Sequence, residues 1–224
     1  HRRDIAFWQD NPRAAPPAWV NRFSARKGAV SLMLRETSDY AEESQDGLLR
    51  RSWTFGYKAG FSKPPRDMIV RLTGAGQVPV LITVTRPDGL SAELWRGQLD
   101  LAEGGFSRVS LERDCAAGII ELLRARDEGL ASSVNLSLVS PLAVLFADYD
   151  KDITAVPTVL KGDYSFRIEA LVFSEEFRVD QPEIMVSGDV SGILGTDVSK
   201  RDVFTGLIIG IRWALVIGLL TSII

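Results

Sequence analysis

The chain has 224 residues, of which 46% are hydrophobic and 25% are charged, and this is the composition of an ordinary globular protein. Its formal net charge of −3 at pH 7 is too small to predict a nucleic-acid partner. The single cysteine, Cys115, excludes an intramolecular disulfide. We predict that it is a small buried residue and not a reactive thiol.

The sequence offers little for catalysis or for metal binding. Because its single histidine is His1, neither a Ser-His-Asp triad nor a histidine metal cluster can be built from it. The sequence contains no P-loop motif. Its many Asp and Glu residues leave a glycosidase-type pair of carboxylates open, but no particular pair stands out. The acidic run at 148–152 lacks the glycine and distant glutamate of an EF-hand, so a carboxylate-lined turn is favoured over a calcium site. We therefore expect no enzymatic activity, no cofactor and no metal ion.

In chain order, residues 1–28 come first and indicate an irregular arm. Pro16 and Pro17 rule out a long helix. Trp19 and Phe23 are interleaved with polar residues, and aromatic residues of this kind are enriched at membrane–water interfaces. Two interpretations stay open: an arm near the lipid headgroups, or an arm packed on its own domain. Since the chain starts at His1 and stops inside an apolar run, we expect both ends to be cuts in a longer protein.

Alternating or β-branched apolar residues then predict a series of strands. The predicted strands are 29–34, 48–60, 67–73, 78–86, 91–101, 106–111, 164–173 and 181–187. The alternating part of 134–146 predicts one more strand. The polar, acidic stretch 36–47 is predicted to be a loop, and turns are predicted at 74–76, 87–89 and 104–105. Strands at roughly ten-residue spacing between such turns are typical of an all-β sandwich or barrel.

Two stretches within 29–190 refine this prediction. Residues 114–129 predict one inserted amphipathic helix, with Asp114 as N-cap, Ile119 and Leu122 on its apolar face, and Gly129 just past its end. The clearest strand follows a K-G-x-Y turn and has one apolar face, formed by Tyr164, Phe166, Ile168, Ala170 and Val172. Such a turn is common near the end of immunoglobulin-like sandwiches, which supports that fold by analogy. We predict an immunoglobulin-like or jelly-roll-like β-sandwich.

The last 22 residues, 203–224, are almost entirely apolar, with Arg212 as their only charge. About 20 apolar residues are enough to cross a bilayer as a helix, which satisfies its own backbone hydrogen bonds. Thr196 and Asp197 are good N-cap residues, and Asp202 would place a carboxylate near the helix N-terminus, where the helix dipole favours it. The sequence therefore predicts a polar, capped entry into a transmembrane helix.

The same segment carries a family resemblance. Its motif residues are Leu194, Gly195, Thr196 and Asp197, then Arg201 and Asp202, then Gly210 and Arg212. In this order and spacing they resemble the start of the second membrane helix in dipeptide/oligopeptide ABC transporter permeases of the DppC/OppC type. The family pattern is roughly L-G-T-D-x-x-G-R-D-V-x-S-R-x-x-Y-G-x-R-x-S-L-x-x-G-L. Here Lys200, Gly206 and Ile209 stand where the pattern has Gly, Arg and Tyr, and the resemblance covers about the last seventh of the chain.

The resemblance implies a permease subunit of an ABC importer for peptides or similar small solutes. It implies a cell (inner) membrane protein that is multi-pass in full length, with residues 1–202 extracytoplasmic. Its implied partners are a second permease subunit, two cytoplasmic ATPase subunits, an extracytoplasmic substrate-binding protein and membrane lipid. The large outer domain would dock the binding protein or shield the translocation mouth. The resulting division is a membrane-proximal arm (1–28), a β-sandwich domain (29–190), a periplasmic loop (191–202) and the transmembrane helix (203–224).

A second class of function also fits the sequence. A single-pass, membrane-anchored binding or adhesion module would need the same outer β-domain and the same apolar helix. The sequence that follows Ile224 discriminates between them, because further membrane helices and an E-A-A-type cytoplasmic loop would favour the permease. Arg212 has two interpretations as well: an anchor that extends to the outer headgroups, or a residue that lines the translocation path or contacts the partner permease.

Overall fold

A computed structural model describes residues 10–45, 48–101, 105–154, 157–173 and 177–223. The first nine residues of the predicted arm, the last two of the predicted acidic loop and Gly104 of a predicted turn lie outside the described residues. The strands are β1 (Leu32–Leu34), β2 (Asp39–Gln45), β3 (Leu48–Ala59), β4 (Asp67–Thr85), β5 (Ser91–Leu101), β6 (Phe106–Ser110), β7 (Gly162–Val172), β8 (Arg178–Val179) and β9 (Glu183–Ser187). The helices are α1 (Leu111–Asp114), α2 (Ala116–Arg126), α3 (Glu128–Ser133), α4 (Pro141–Leu145) and α5 (Val203–Ile223), and a 3-10 turn covers Ala18–Arg22.

The strands form one curled antiparallel sheet in the order β1-β9-β4-β7-β3-β2, and β5, β6 and β8 also pair with β4. This confirms a mainly β protein with an inserted helical segment and a C-terminal apolar helix. The choice between an immunoglobulin-like and a jelly-roll-like sandwich stays a prediction. β7 follows its predicted pattern, because the five apolar side chains of its predicted face are all buried while Arg167 is exposed.

The long strand β4 replaces two predicted strands and a predicted turn at 74–76. Its first half pairs with β9 and β6, and its second half pairs with β7 and β5. Gly76 has a φ of +84°, which an L-residue with a side chain rarely adopts, so the chain bends there without reversing. The prediction of a turn was wrong because a glycine pair permits a bend within one strand as readily as a reversal.

The predicted acidic loop at 36–47 is also corrected, because Asp39–Gln45 forms the edge strand β2 and pairs along its whole length with β3. Its polarity is that of an edge strand exposed to solvent and not that of a loop. Glu42 lies opposite Arg51 in the register and forms an ion pair with it, at 3.4 Å between Oε2 and Nε. Tyr40 packs on Trp53, with ring centroids 5.8 Å apart.

The helical insertion differs from the predicted single helix at 114–129. α2 begins after Cys115, Asp114 ends the short helix α1, and Gly129 lies inside α3 and not beyond a helix end. The alternation at 134–146 does not form a strand: its first part lies in turns, and Ser140 caps α4 by accepting a hydrogen bond from the Ala143 amide. Alternation over a few residues was therefore insufficient to distinguish a strand from turns that are anchored by occasional apolar side chains.

One hydrophobic cluster unites both parts of the curled sheet with the helices. An aromatic group lies within it, where Phe146 from the end of α4 contacts Tyr164 of β7, with ring centroids 4.7 Å apart. α2 packs so closely on β5 that a Cβ at Gly118 would lie 2.0 Å from the Glu93 carbonyl oxygen. Cys115 is fully buried, as predicted, and burial raises the pKa of its thiol to about 12.

The C-terminal helix α5 stands apart from this core. Within the described chain it is long and apolar enough to cross a membrane over Val203–Ser222, and none of that segment is buried inside the protein. Exposure of so much apolar surface to water would be strongly unfavourable, whereas a bilayer accommodates it. The helix therefore indicates that the protein is membrane-associated.

Candidate functional site

The motif loop, residues 191–202, folds against the N-terminal arm, and Thr196 is the centre of their contact. Its hydroxyl accepts a hydrogen bond from the Ala15 amide (2.9 Å) and donates one to the Pro12 carbonyl (2.7 Å). Its own amide donates to the Ala15 carbonyl (2.9 Å). Thr196 is only 8% exposed, so these three bonds satisfy polar groups that water does not reach.

Further backbone hydrogen bonds on either side of Thr196 extend this contact. The amides of Ala14 and Ala18 donate to the carbonyls of Asp197 and Gly192, each at 3.0 Å. Gly195 has a φ of +78°, and a Cβ there would lie 2.3 Å from the Ala15 carbonyl oxygen. Glycine at this motif position is thus required both by the backbone conformation and by the close approach of the arm.

Asp197 organises the second half of the loop. Its Oδ1 accepts hydrogen bonds from the amides of Ser199 and Arg201, both at 2.8 Å, and its Oδ2 lies 2.9 Å from Nε of Arg201. The backbone bond from Arg201, aided by the guanidinium of the same residue, holds the pKa of the Asp197 carboxyl below its usual value. Lys200 completes this turn with a φ of +64°. It occupies the position at which the family pattern has glycine.

Asp202 joins the loop to α5. Its Oδ1 accepts a hydrogen bond from the Phe204 amide (3.0 Å) and its Oδ2 accepts one from the Thr205 hydroxyl (3.0 Å), which is the geometry of an N-cap. The Val203 amide donates to the Gly195 carbonyl at 3.1 Å. The predicted capping role therefore falls to Asp202, while Thr196 and Asp197 hold the loop and the arm.

The structure brings the motif residues of the loop together but not those of the helix. Leu194 is part of the loop and is 38% exposed. Gly210 and Arg212 lie along the exposed length of α5, and at 1.5 Å per residue Arg212 lies about 14 Å beyond Val203. The loop therefore forms one structural unit with the arm, whereas the two helix positions face the surroundings of the span.

Sequence reasoning missed an ionic anchor at the start of the described arm. The Asp10 carboxylate is fully buried: its Oδ2 lies 2.6 Å from Nη2 of Arg71, and its Oδ1 lies 3.0 Å from Nη2 of Arg108. Arg71 and Arg108 are direct partners in the β4–β6 register, so the two strands present both guanidinium groups at one place. No local pattern marks Asp10, because its partners lie some 60 and 100 positions away in the chain.

The carboxylates of the acidic run at 148–152 form ion pairs and hydrogen bonds within the protein. Asp148 pairs with Lys151 at 3.1 Å, Asp150 pairs with Arg126, and Asp152 accepts hydrogen bonds from Thr154. In the part of the chain that the structure describes, no group of three or more His, Cys, Asp or Glu side chains could hold a metal ion. The arrangement around the motif loop joins segments of the chain to one another.

Comparisons with protein-family models and with curated proteins find no match for this chain. The resemblance to peptide permeases therefore rests on the motif residues of the sequence alone.

Proposed function

We propose that the chain is part of a membrane-spanning permease subunit of an ABC importer for peptides or similar small solutes. The observation that carries this proposal is that three residues of the loop motif each have a defined structural role. Gly195 makes a close approach that only glycine permits, Thr196 ties the loop to the arm, and Asp202 caps the span. Lys200 stands where the family pattern has glycine, and its backbone adopts a left-handed conformation that glycine adopts without strain.

In this proposal ATP is hydrolysed by two cytoplasmic partner subunits, and a second permease subunit completes the translocation path. Residues 1–202 lie outside the cytoplasm. The full-length protein crosses the cell (inner) membrane several times. The outer domain docks the substrate-binding protein or shields the mouth of the path. Motif residues act by positioning the loop at that mouth and not as catalysts.

The topology can be tested with a cysteine in the exposed strand β2. In the full-length protein, Ser44→Cys should react with a membrane-impermeant thiol reagent on intact cells. The parent protein is the matched control, because Cys115 is fully buried and its thiol pKa is raised to about 12. Labelling of Ser44→Cys only after lysis would contradict the proposed topology.

The role of the outer domain can be tested by deletion. Gly28 and Asp189 are in contact, and the Val190 amide lies 3.3 Å from the Ala29 carbonyl, so a short Gly-Ser linker can replace residues 29–189. We expect the deleted protein to insert and to copurify with its partner subunits, while peptide uptake and docking of the binding protein weaken. Unchanged uptake and docking would rule out the docking role, and a failure to copurify with any ATPase would contradict the permease itself.

A second candidate function has its own support. Among the residues that the structure describes, the core of the outer domain is one continuous hydrophobic cluster, and none of its members comes from α5. Such a domain needs no further membrane helix for its core, which suits a single-pass anchored binding or adhesion module. A coding sequence that ends shortly after Ile224, with no further membrane helix, would favour this function over the permease.

A further inference from the structure

Exposed apolar side chains collect on the arm and the motif loop, just before the span begins. We call this set the juxtamembrane patch. It consists of Trp19 (55% exposed), Phe23 (82%), Ile193 (58%), Leu194 (38%) and Val198 (67%). Trp19 and Phe23 pack edge to face, with ring centroids 6.4 Å apart, so they present one joint aromatic surface.

Hydrogen bonds hold the patch close to the start of α5. The Val203 amide bonds to the Gly195 carbonyl, and the Thr196 amide bonds to the Ala15 carbonyl. Trp19 follows Ala15 by four residues, a distance of at most about 14 Å along the chain. The Ala18 amide, directly before Trp19, is itself bonded to the Gly192 carbonyl of the loop. Both halves of the patch are therefore fixed within reach of the membrane surface that α5 enters.

The charges beside the patch are predominantly positive. Arg13, Arg22, Arg26 and Lys27 are exposed, and no ion pair with a carboxylate is seen for them among the residues of the described ranges. The neighbouring carboxylates are already engaged. Asp189 pairs with Arg66 at 2.9 Å, Asp197 with Arg201 at 2.9 Å, Asp10 with two arginines, and Asp202 caps α5.

We propose that the juxtamembrane patch is a lipid-binding surface that seats the outer domain on anionic headgroups of the bilayer that α5 crosses. Tryptophan and other aromatic side chains prefer the membrane–water interface, and lysine and arginine next to a span are attracted to anionic lipid. The arm thereby fixes the tilt of the outer domain above the membrane. Besides the patch and its charges, this inference requires only that α5 spans the bilayer, so it holds for the permease and for the anchored module alike.

The test uses the whole chain in lipid nanodiscs. Phe23→Cys, labelled with the environment-sensitive fluorophore NBD, should show blue-shifted emission in nanodiscs that contain phosphatidylglycerol. A spin-labelled lipid with its nitroxide near the headgroup should quench it. The matched control is Phe173→Cys, which is 52% exposed in the parent and directly follows β7. It lies about 35 Å from Gly162, the residue that begins β7 and pairs with Ala59, four residues before the bridge between Lys63 and Gly28 of the arm. Its label should keep the emission that it has in water.

The lipid charge and the protein charge are then varied. Pure phosphatidylcholine nanodiscs, or the double variant Arg22→Gln with Lys27→Gln, should reduce the quenching at position 23, while α5 stays inserted. The control variant Arg50→Gln with Arg178→Gln removes the same charge near the far end of the sheet and should change nothing. Far-UV circular dichroism identical to that of the parent verifies folding in each case.

Three results would overturn the proposal. A label at position 23 that stays in water in every nanodisc would exclude lipid contact. Quenching that is the same in neutral and anionic lipid would exclude the recognition of anionic headgroups. Protection of position 23 that arises only when other membrane subunits are added would make the patch a protein interface. None of these results decides between the permease and the anchored module, so this proposal can fail while the proposed function stands.

Discussion

Among single residues, Arg86 carries a buried charge with several partners in the outer domain. Its guanidinium is fully buried at the end of β4, where it donates to the carbonyls of Leu145 and Ala147 and pairs with Asp88 at 2.8 Å. The guanidinium carbon also lies 3.8 Å from the ring centroid of Tyr149. Although burial alone would raise the pKa of Asp88, its bonds to Arg86 lower it, so this ion pair stays charged.

We expect Arg86→Lys to destabilise the protein even though the charge is kept. An ammonium group cannot reproduce the planar fork that reaches two carbonyls and a carboxylate at once. The loss of one charge-assisted hydrogen bond costs about 2 kcal/mol, which lowers Tm by roughly 4–8 °C in a domain of this size. Thermal unfolding followed by circular dichroism measures it. Arg96→Lys, at an exposed ion pair, is the control and should leave Tm unchanged.

Lys200 provides a second residue-scale prediction, because its backbone is left-handed. Lys200→Gly and Lys200→Val remove the same side chain, so they differ mainly in how well they tolerate a φ of +64°. We expect the valine variant to be less stable than the glycine variant by about 1–2 kcal/mol. The Arg201 amide donates a hydrogen bond to the Asp197 carboxylate, so hydrogen exchange at this amide reports the local change. Equal exchange in the two variants would contradict the importance of this conformation.

At the scale of elements, β4 is the strand that connects the two parts of the sheet. All the other strands except β1, β2 and β3 pair with it directly. Its inward residues, from Met68 to Val84, remain buried on both sides of the glycine bend. The bend therefore lets one strand contribute to two differently directed parts of the sheet while its apolar side chains stay in one core.

We expect Gly76→Ala to weaken this strand. Its φ of +84° is strained for alanine, and the added Cβ would lie 2.2 Å from the Phe177 ring. Strain of this kind costs about 1–3 kcal/mol. Gly56→Ala in β3 is the control, because φ there is not positive and a Cβ would have no neighbour within 4 Å. Urea unfolding of the two variants measures the difference, and equal midpoints would show that the bend does not depend on glycine.

At the scale of the whole molecule, a β-rich domain with its own hydrophobic core is joined to the apolar helix α5 through the arm and loop. The arm runs from the Asp10 anchor to its bonds with Thr196, so it links the sheet to the base of α5. Movement of the span relative to the domain would have to break these contacts. Arg212, farther along the span, is placed to interact with whatever surrounds α5 in the membrane.

In the proposed permease, we expect Arg212→Lys and Arg212→Gln to impair peptide uptake while the full-length protein still inserts. A guanidinium that bonds to a partner helix within the membrane cannot be replaced by an ammonium or an amide. An arginine that only extends to the headgroups would accept lysine. Uptake of a labelled peptide in cells, with membrane insertion as the control, separates the two. Uptake equal to that of the parent in both variants would leave only the anchor interpretation.

The sequence by itself determined the features that depend on local pattern. The alternation of β7, the turn at 87–89 with its hydrogen bond from the Arg86 amide to the Leu90 carbonyl, and the length of α5 all follow from side chains close together in the chain. These features could be predicted because burial on one face, or in a membrane, imposes a fixed period or length on apolar residues. The motif loop was located in the same way.

Only the tertiary structure decided how distant segments meet. It made one strand of β4, because β7 and β9 offer partners on both sides of a bend that glycine allows. It made β2 a strand, since β3 supplies hydrogen bonds that a polar sequence does not announce. It brought Asp10 to two arginines and Thr196 to the arm. Such contacts join residues far apart in the chain, and the physical reason that they escaped prediction is that no local period records a partner's position.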